Sequence, residues 1–228
     1  MARDLFRKGS ADLPVLVIGL GRFGAAVANS IVLQGGEVLA VDADERCVQR
    51  FADQFTHVIQ ADTTDDDALA QMGVDRFQHA VVAIGSDIEA SVLTTLTLAK
   101  AGVPSIWARA VSPKHGEILK RVGAHRVVYP QSSVGEQVAH AIIGGVSQYL
   151  EFEDGFAVAR MTAPRATWNK TLHESGLLSK YSVTIVGVKR AGKDFMNAQP
   201  DTHVEPGDEF VVSGHMRRIE LFWALTSE

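Results

Sequence analysis

Short apolar runs alternate along the chain with longer stretches in which apolar residues return every three or four positions. The runs lie near residues 15–18, 37–42, 57–60, 79–84, 105–109 and 126–129, and each predicts a strand, with helices between them. Strands and helices in that alternation build a parallel sheet covered on both faces. The clearest strand is "HAVVAIG", His79 to Gly85. It is continuously apolar, as a strand buried on both faces must be, and Gly85 closes it too soon for a buried helix.

From Ser132 to Tyr149 the stretch "SSVGEQVAHAIIGGVSQY" puts Val134, Val138, Ala141 and Ile142 on one helical face. It predicts either the last helix of the sheet domain or a crossover arm. The acidic "EFEDGF" follows, and the pattern then changes. "FAVARMTAP", "YSVTIVGVKRAG" and "DEFVVSGH" read as strands, with short helices at "NKTLHES" and near the end of the chain. The expected organisation is an α/β domain over residues 14–149 and a small α+β domain over residues 150–228. In "ADTTDDDAL" the acids predict a solvated helix start capped by Thr64 or a neighbouring aspartate.

Composition narrows the function classes. The 228 residues, 46% of them apolar, suffice for one large or two modest domains with a real core. A net charge of −5 and the lack of a long basic run argue against a nucleic-acid partner, which needs clustered Lys and Arg. One cysteine, Cys47, permits no intramolecular disulfide and fits a reducing compartment. No apolar run reaches the roughly 18 residues of a membrane span, and "MARDLFRKGSADLP" lacks the apolar core of a signal peptide. The expectation is a cytoplasmic chain, free to sit on the inner side of a membrane protein.

The first predicted strand runs into Gly19-Leu20-Gly21-Arg22-Phe23-Gly24 and then into a helix. In a dinucleotide-binding turn the first glycine permits the tight bend, the second lets backbone approach phosphate, and the third lets helix pack on strand. Asp42 ends the second strand, 18 residues after Gly24, where an acid accepts hydrogen bonds from ribose hydroxyls and repels a 2′-phosphate. A competing role for Asp42 is to cap the helix that begins near Asp44. Asp62, at the tip of the third strand, lies where an adenine edge is met, or serves as a cap. Arg22 places a guanidinium within the glycine loop, and Arg109 ends the fifth strand at the ligand-binding edge of such sheets. Either cation also has a solvent-facing alternative.

"VIGLGRFG", "EVLAVDAD", "VVAIGSDIEASVLTTLTLAK" and "IWARAV" together resemble the bacterial regulators of potassium conductance, the cytosolic KtrA and TrkA-type subunits. "YSVTIVGVKRAG…DTHVEPGDEFVVSGH" extends the resemblance to their small C-terminal domain. The resemblance implies a Rossmann-like doubly wound parallel sheet and a subunit that binds ATP or ADP, with NAD(H) in relatives. It further implies homo-oligomers, dimers within an octameric ring, beneath a KtrB- or TrkH-like potassium-translocating membrane protein. Nucleotide contacts are implied at Gly19, Leu20, Gly21, Arg22, Phe23 and Gly24, and at Asp42, Ala43 and Asp44. Asp62, Thr63, Ala83, Ile84, Gly85 and Arg109 complete the implied site, with Arg22 reaching the terminal phosphate.

Two departures from the family pattern stand out. Gln131 replaces a glutamate that helps hold a divalent cation, and a neutral amide is a poorer ligand for a hard ion. Leu178 stands where some members use an arginine to bind cyclic di-AMP, although Asn169 and Pro200 keep that cleft open as a site. The implied function is a nucleotide-gated regulator without catalytic residues or a metal.

Two readings of other classes remain. An NAD-dependent oxidoreductase would need a nucleophile or an acid–base histidine, but Cys47 adjoins the ribose end and His115, His125, His173, His203 and His215 fall in no catalytic spacing. An assembly protein with a structural nucleotide would use Ser91, Leu93, Leu96 and Leu98 as a dimer-facing helix, positions that equally suit a core.

Overall fold

The computed structural model describes residues 14–226, apart from residues 56, 144 and 153. The expectation for "MARDLFRKGSADLP" falls outside these residues up to Leu13. The chain divides into two units between Gln131 and Ser132. In the first, β1 (Val15–Ile18), α1 (Arg22–Leu33), β2 (Val38–Asp42), α2 (Glu45–Phe51), β3 (His57–Gln60) and α3 (Asp66–Gln71) form one half. The other half is β4 (His79–Val82), α4 (Ile88–Lys100), β5 (Ser105–Arg109), α5 (Pro113–Arg121) and β6 (Arg126–Val128).

All six strands pair in parallel, in the order β3-β2-β1-β4-β5-β6. This is the doubly wound sheet expected from the strand–helix alternation. Alternate residues of β1 enter different cores, as a doubly covered strand requires. Leu16 and Ile18 pack with Val41, Val82, Ile106 and Leu98, while Val17 packs with Leu20, Ala28, Ala40 and Phe55. Each fully buried Leu or Ile contributes about 1.5–3 kcal/mol, so the two layers fix the sheet from both sides. The chain winds outward from β1 to β3, then restarts on the other flank with β4, which opens a crevice at the carboxyl ends of β1 and β4.

The next helix, α6 (Pro130–Ile143), ends before the expected Tyr149. Gly145 follows at φ 59°, and a methyl group there would overlap the Trp223 indole. The chain then enters β7 (Val146–Glu151), paired antiparallel with β8 (Phe156–Thr162). The apolar residues that prolong the helical period, such as the fully buried Val146, instead serve a strand. The boundary expected near residue 150 therefore lies inside β7. On α6 Val134, Val138 and Ile142 share a face as expected, and that face is exposed.

The second unit continues with α7 (Leu172–Ser175), α8 (Leu177–Tyr181), β9 (Thr184–Lys189), β10 (Phe195–Asn197), β11 (Glu209–His215) and α9 (Met216–Thr226). Its antiparallel sheet has the order β10-β9-β11-β8-β7. Met161, Phe210 and Val212 of the sheet pack with Ile219 and Phe222 of α9. "NKTLHES" gives α7 through a capping box, with the Thr171 hydroxyl accepting from the Glu174 amide and the Glu174 carboxylate accepting from the Thr171 amide. Asp208, buried beside β11, is held by Arg190 at 3.1 Å from both Nε and Nη2, and by the Glu205 amide at 2.9 Å.

Candidate functional site

The crevice between the two halves of the parallel sheet is a cleft of about 880 Å³. Its floor is the glycine turn. Gly19 takes φ 94°, a conformation that favours glycine, and its amide donates to the Val41 carbonyl at 2.7 Å. Gly21 is the N-cap of α1, with open space where a side chain would stand. Gly24 packs α1 so closely on β1 that a methyl group would collide with the Gly19 carbonyl oxygen. The helix start thus faces the cleft with free amides and no acidic residue in its first turn, an arrangement that favours an anion.

Of the residues implied by resemblance, twelve line the cleft: Gly19, Gly21 and Arg22; Asp42, Ala43 and Asp44; Asp62 and Thr63; Ala83, Ile84, Gly85 and Arg109. Leu20, Phe23 and Gly24 do not. Leu20 is buried in the core and reaches the site only through its amide, and Gly24 acts through helix packing. Ile18, Cys47, Thr64, Ser86, Asp87, Glu89, Ala90 and Leu93 line it as well; of these only Cys47 was expected near the ribose end. The loop after β4 and the start of α4 carry five of these eight, Ser86, Asp87, Glu89, Ala90 and Leu93, onto the crevice, a consequence of strand order that no local motif signals.

Asp42 is a tie between two turns. Its Oδ2 accepts from the Leu20 amide at 2.6 Å and its Oδ1 from the Asp44 amide at 2.8 Å. An ionised carboxylate has about four acceptor positions, so room remains for a hydroxyl. Capping α2 falls to Asp44, whose Oδ1 accepts from the Arg46 amide. Hydrogen bonds from the Arg46 side chain and amide hold the Asp44 carboxyl below its ordinary value. Asp62 accepts from both the Thr64 hydroxyl (2.7 Å) and amide (2.9 Å), which likewise lower its pKa. Asp65, rather than Asp62 or Thr64, caps α3. Thr63 is anchored across the cleft wall by a 2.9 Å hydroxyl–hydroxyl bond to Thr94 of α4.

The two cations line the same cleft as these acids. Neither Arg22 nor Arg109 pairs with a carboxylate among the described residues, and Arg109 Nε is buried without a partner. Unpaired guanidinium groups beside an anion-facing helix start suit phosphate oxygens.

Two of the candidate nucleophile and acid–base residues have shifted pKa values, and a third is held by backbone. Burial, then the neighbouring Asp42 and Asp44, push the Cys47 thiol up, away from the nucleophilic thiolate. His115 is buried, and burial holds its pKa down. The His125 Nδ1 accepts from the Ile106 amide at 3.1 Å. On α4, Ser91 and Leu98 are fully buried while Leu93 faces the cleft, so these positions form no dimer-facing row. In the second unit Pro200 lines a separate hollow of about 290 Å³ with Leu172, His173, Leu177 and Ile185, and Asn169 takes φ 58°. The Leu178 side chain falls outside the described residues.

Residues 15–130 match the TrkA-N domain and residues 161–225 the TrkA-C domain. The chain is 33% identical over 207 residues to Ktr system potassium uptake protein A of Bacillus subtilis, covering 90% of this chain and 93% of that one. It is 32% identical over 208 residues to the protein of the same name from Vibrio alginolyticus, with 90% and 94% covered. A crystal structure of the GsuK RCK domain shares the fold, with a TM-score of 0.66 and 18% identity over 97% of this chain and 49% of that one. The chain is not an enzyme; it belongs to the KtrA/TrkA family of potassium-transport regulatory proteins, the regulators of potassium conductance.

Proposed function

We propose that the cleft binds ADP or ATP and that the chain uses the difference between them to gate a potassium-translocating membrane partner of the KtrB or TrkH type. The observation that carries this reading is the polarity of the cleft. One cleft gathers acids that follow β2 and β3, Asp42 and Asp62, for ribose and adenine, with the start of α1, Arg22, and Arg109 at the end of β5 on the other flank of the sheet, for phosphate. Asp42, with its neighbour Asp44, disfavours a 2′-phosphate by charge. ATP and ADP differ by one phosphoryl group, and two unpaired guanidinium groups convert that charge into a difference in affinity. A few kcal/mol of differential affinity is enough to shift a two-state equilibrium.

No divalent cation is required in this reading, since Gln131 offers a neutral amide and no group of three or more acidic, His or Cys residues suited to a metal occurs among the described residues. The exposed apolar face of α6, with Val134 57%, Val138 51% and Ile142 75% exposed, supports a homo-oligomer, a dimer that builds an octameric ring. The chain then sits in the cytoplasm, peripheral on the inner face of the membrane through its partner. No helix among the described residues is long and apolar enough to cross a membrane.

A second reading, an NAD(H)-sensing regulator, is favoured by one feature. The cleft continues past Gly85 to Ser86, Asp87, Glu89 and Leu93, which leaves room for the second half of a dinucleotide. Calorimetry of the purified, ligand-stripped protein with ADP, ATP, NAD and NADH tests both. Saturable heats for ADP and ATP, with potassium flux through the reconstituted partner differing between them, support the first. Heats confined to NAD and NADH select the second, and no heat for any of the four ends both.

A further inference from the structure

Gly85, at the end of β4, has no side chain for a reason that its backbone does not supply. Its φ is not among the positive values of the chain, so an L-residue meets no conformational strain there. What occupies the space is Arg109. A Cβ built on Gly85 would lie 2.6 Å from Arg109 Cζ, 2.6 Å from Nη1 and 3.0 Å from Nη2. The guanidinium therefore lies flat over the glycine, with its central carbon and both terminal nitrogens within the space of one methyl group.

Three further facts give this arrangement a direction. Arg109 makes no ion pair among the described residues, and its Nε is buried without a partner. Both residues line the cleft that also contains Arg22 and the start of α1. β4 and β5 are paired in register, Val82 opposite Ala108, so Gly85 and Arg109 leave the sheet at neighbouring points of one edge. A buried donor left unmade is costly, and a guanidinium held beside an anion-facing helix start recovers that cost by binding an oxyanion.

We propose that Gly85 is the position that determines how strongly this cleft responds to ligand phosphate charge, because it is the seat that aims the Arg109 guanidinium. Gly85 is a positioning residue, acting through Arg109. Any larger side chain lifts the guanidinium off the strand end and out of the phosphate half of the cleft. The fold tolerates the change, since what must move is the far end of a flexible side chain rather than backbone. The inference rests on the adenine-nucleotide reading of the cleft.

The test is calorimetry of the full chain with adenosine, AMP, ADP and ATP, on the wild type, Gly85→Ala, Arg109→Gln and the double variant, with thermal melts as a check on folding. Gly85→Ala is expected to melt close to the wild type and to weaken ADP by roughly tenfold, the loss of one charge-assisted contact, with the deficit growing from adenosine to ATP. In the Arg109→Gln background the same substitution is expected to change ADP affinity by less than about twofold, the signature of two residues acting as one. The inference is overturned if Gly85→Ala binds ADP as the wild type does, if the deficit is the same for adenosine as for ATP, or if it persists in full without Arg109. Wild-type protein that binds none of the four ligands overturns the nucleotide reading itself, a result separate from any behaviour of the variants.

Discussion

The Leu20 amide lies 2.6 Å from Asp42 Oδ2, so the glycine turn and the end of the adjacent strand share one carboxylate. In the proposed reading Asp42 serves ribose as well as backbone, so its removal should be felt by the free protein as well as by the complex. Asp42→Asn keeps one acceptor and turns an NH₂ toward an amide. It is expected to cost about 1–3 kcal/mol of stability and to weaken adenine-nucleotide binding as well. Chemical denaturation with and without ADP measures both, and an unchanged stability of the free protein would show that the tie is not needed.

Gly21 and Gly24 belong to the same motif but face different constraints. A methyl group on Gly24 collides with the Gly19 carbonyl oxygen and crowds Ala83, whereas one on Gly21 meets nothing within 4 Å. Gly24→Ala should lose several kcal/mol by overpacking or fail to fold, while Gly21→Ala stays near wild-type stability. Gly21→Ala should nonetheless lose nucleotide affinity, because the open space belongs to the cleft proposed to hold the phosphates. Equal melting temperatures for the two variants would contradict this division.

The second unit carries its own response to acid. Burial alone would raise the Asp208 carboxyl, but the hydrogen bonds from Arg190 and the Glu205 amide, with the Arg190 charge, outweigh it and hold the pKa below 3.8. A depressed carboxylate stabilises the fold fully above its unfolded value and loses that contribution as pH falls through the folded one. Melting of the second unit should therefore be flat with respect to this group above about pH 5 and fall steeply below about pH 4. Asp208→Asn should flatten the acid limb. Arg190→Met, which strands a carboxylate that is 1% exposed, should cost about 3–5 kcal/mol near neutral pH.

Cys47 reports on the occupant of the cleft. Burial and the charges of Asp42 and Asp44 keep its thiol protonated at neutral pH, so alkylation by iodoacetamide should be slower than for a free cysteine. Bound ADP should slow it further, since Cys47 lines the same cleft. Asp42→Asn should speed labelling of the free protein by removing one of the charges. Labelling that ignores ADP at saturating concentration would place the nucleotide elsewhere.

The apolar face of α6 gives a prediction about assembly. Val138→Asp should reduce the mass measured by light scattering, because burying an unpaired carboxylate against a second copy is unfavourable. Nucleotide binding by the dispersed protein should survive. A wild type that is already monomeric would remove the basis for the ring.

Much of this was legible in the sequence, and the exceptions share a cause. The central strands announce themselves because a strand buried on both faces is nearly continuously apolar: β1 is so throughout, β2 up to Asp42 and β4 after His79. The glycine turn and Asp42 are local in sequence and keep their spacing in space. β7 was read as helix because Val146 and Tyr149 prolong the period of α6, and only pairing with β8 makes them a strand. β10, three exposed residues, carries no period at all. In the site, Asp87, Glu89 and Leu93 come to the cleft through the return of the chain from β4, and the contact of Arg109 with Gly85 joins residues 24 positions apart, which no motif spans.

The closeness of α1 to β1 at Gly24 has a mechanical corollary. With no room for a side chain between Gly24 and the Gly19 carbonyl, the helix start rests directly on the turn, and in the proposed reading it offers ligand phosphates a close-packed anvil. In that reading, a movement that reports the extra phosphoryl group begins at the side chains of Arg22 and Arg109 and travels outward from there.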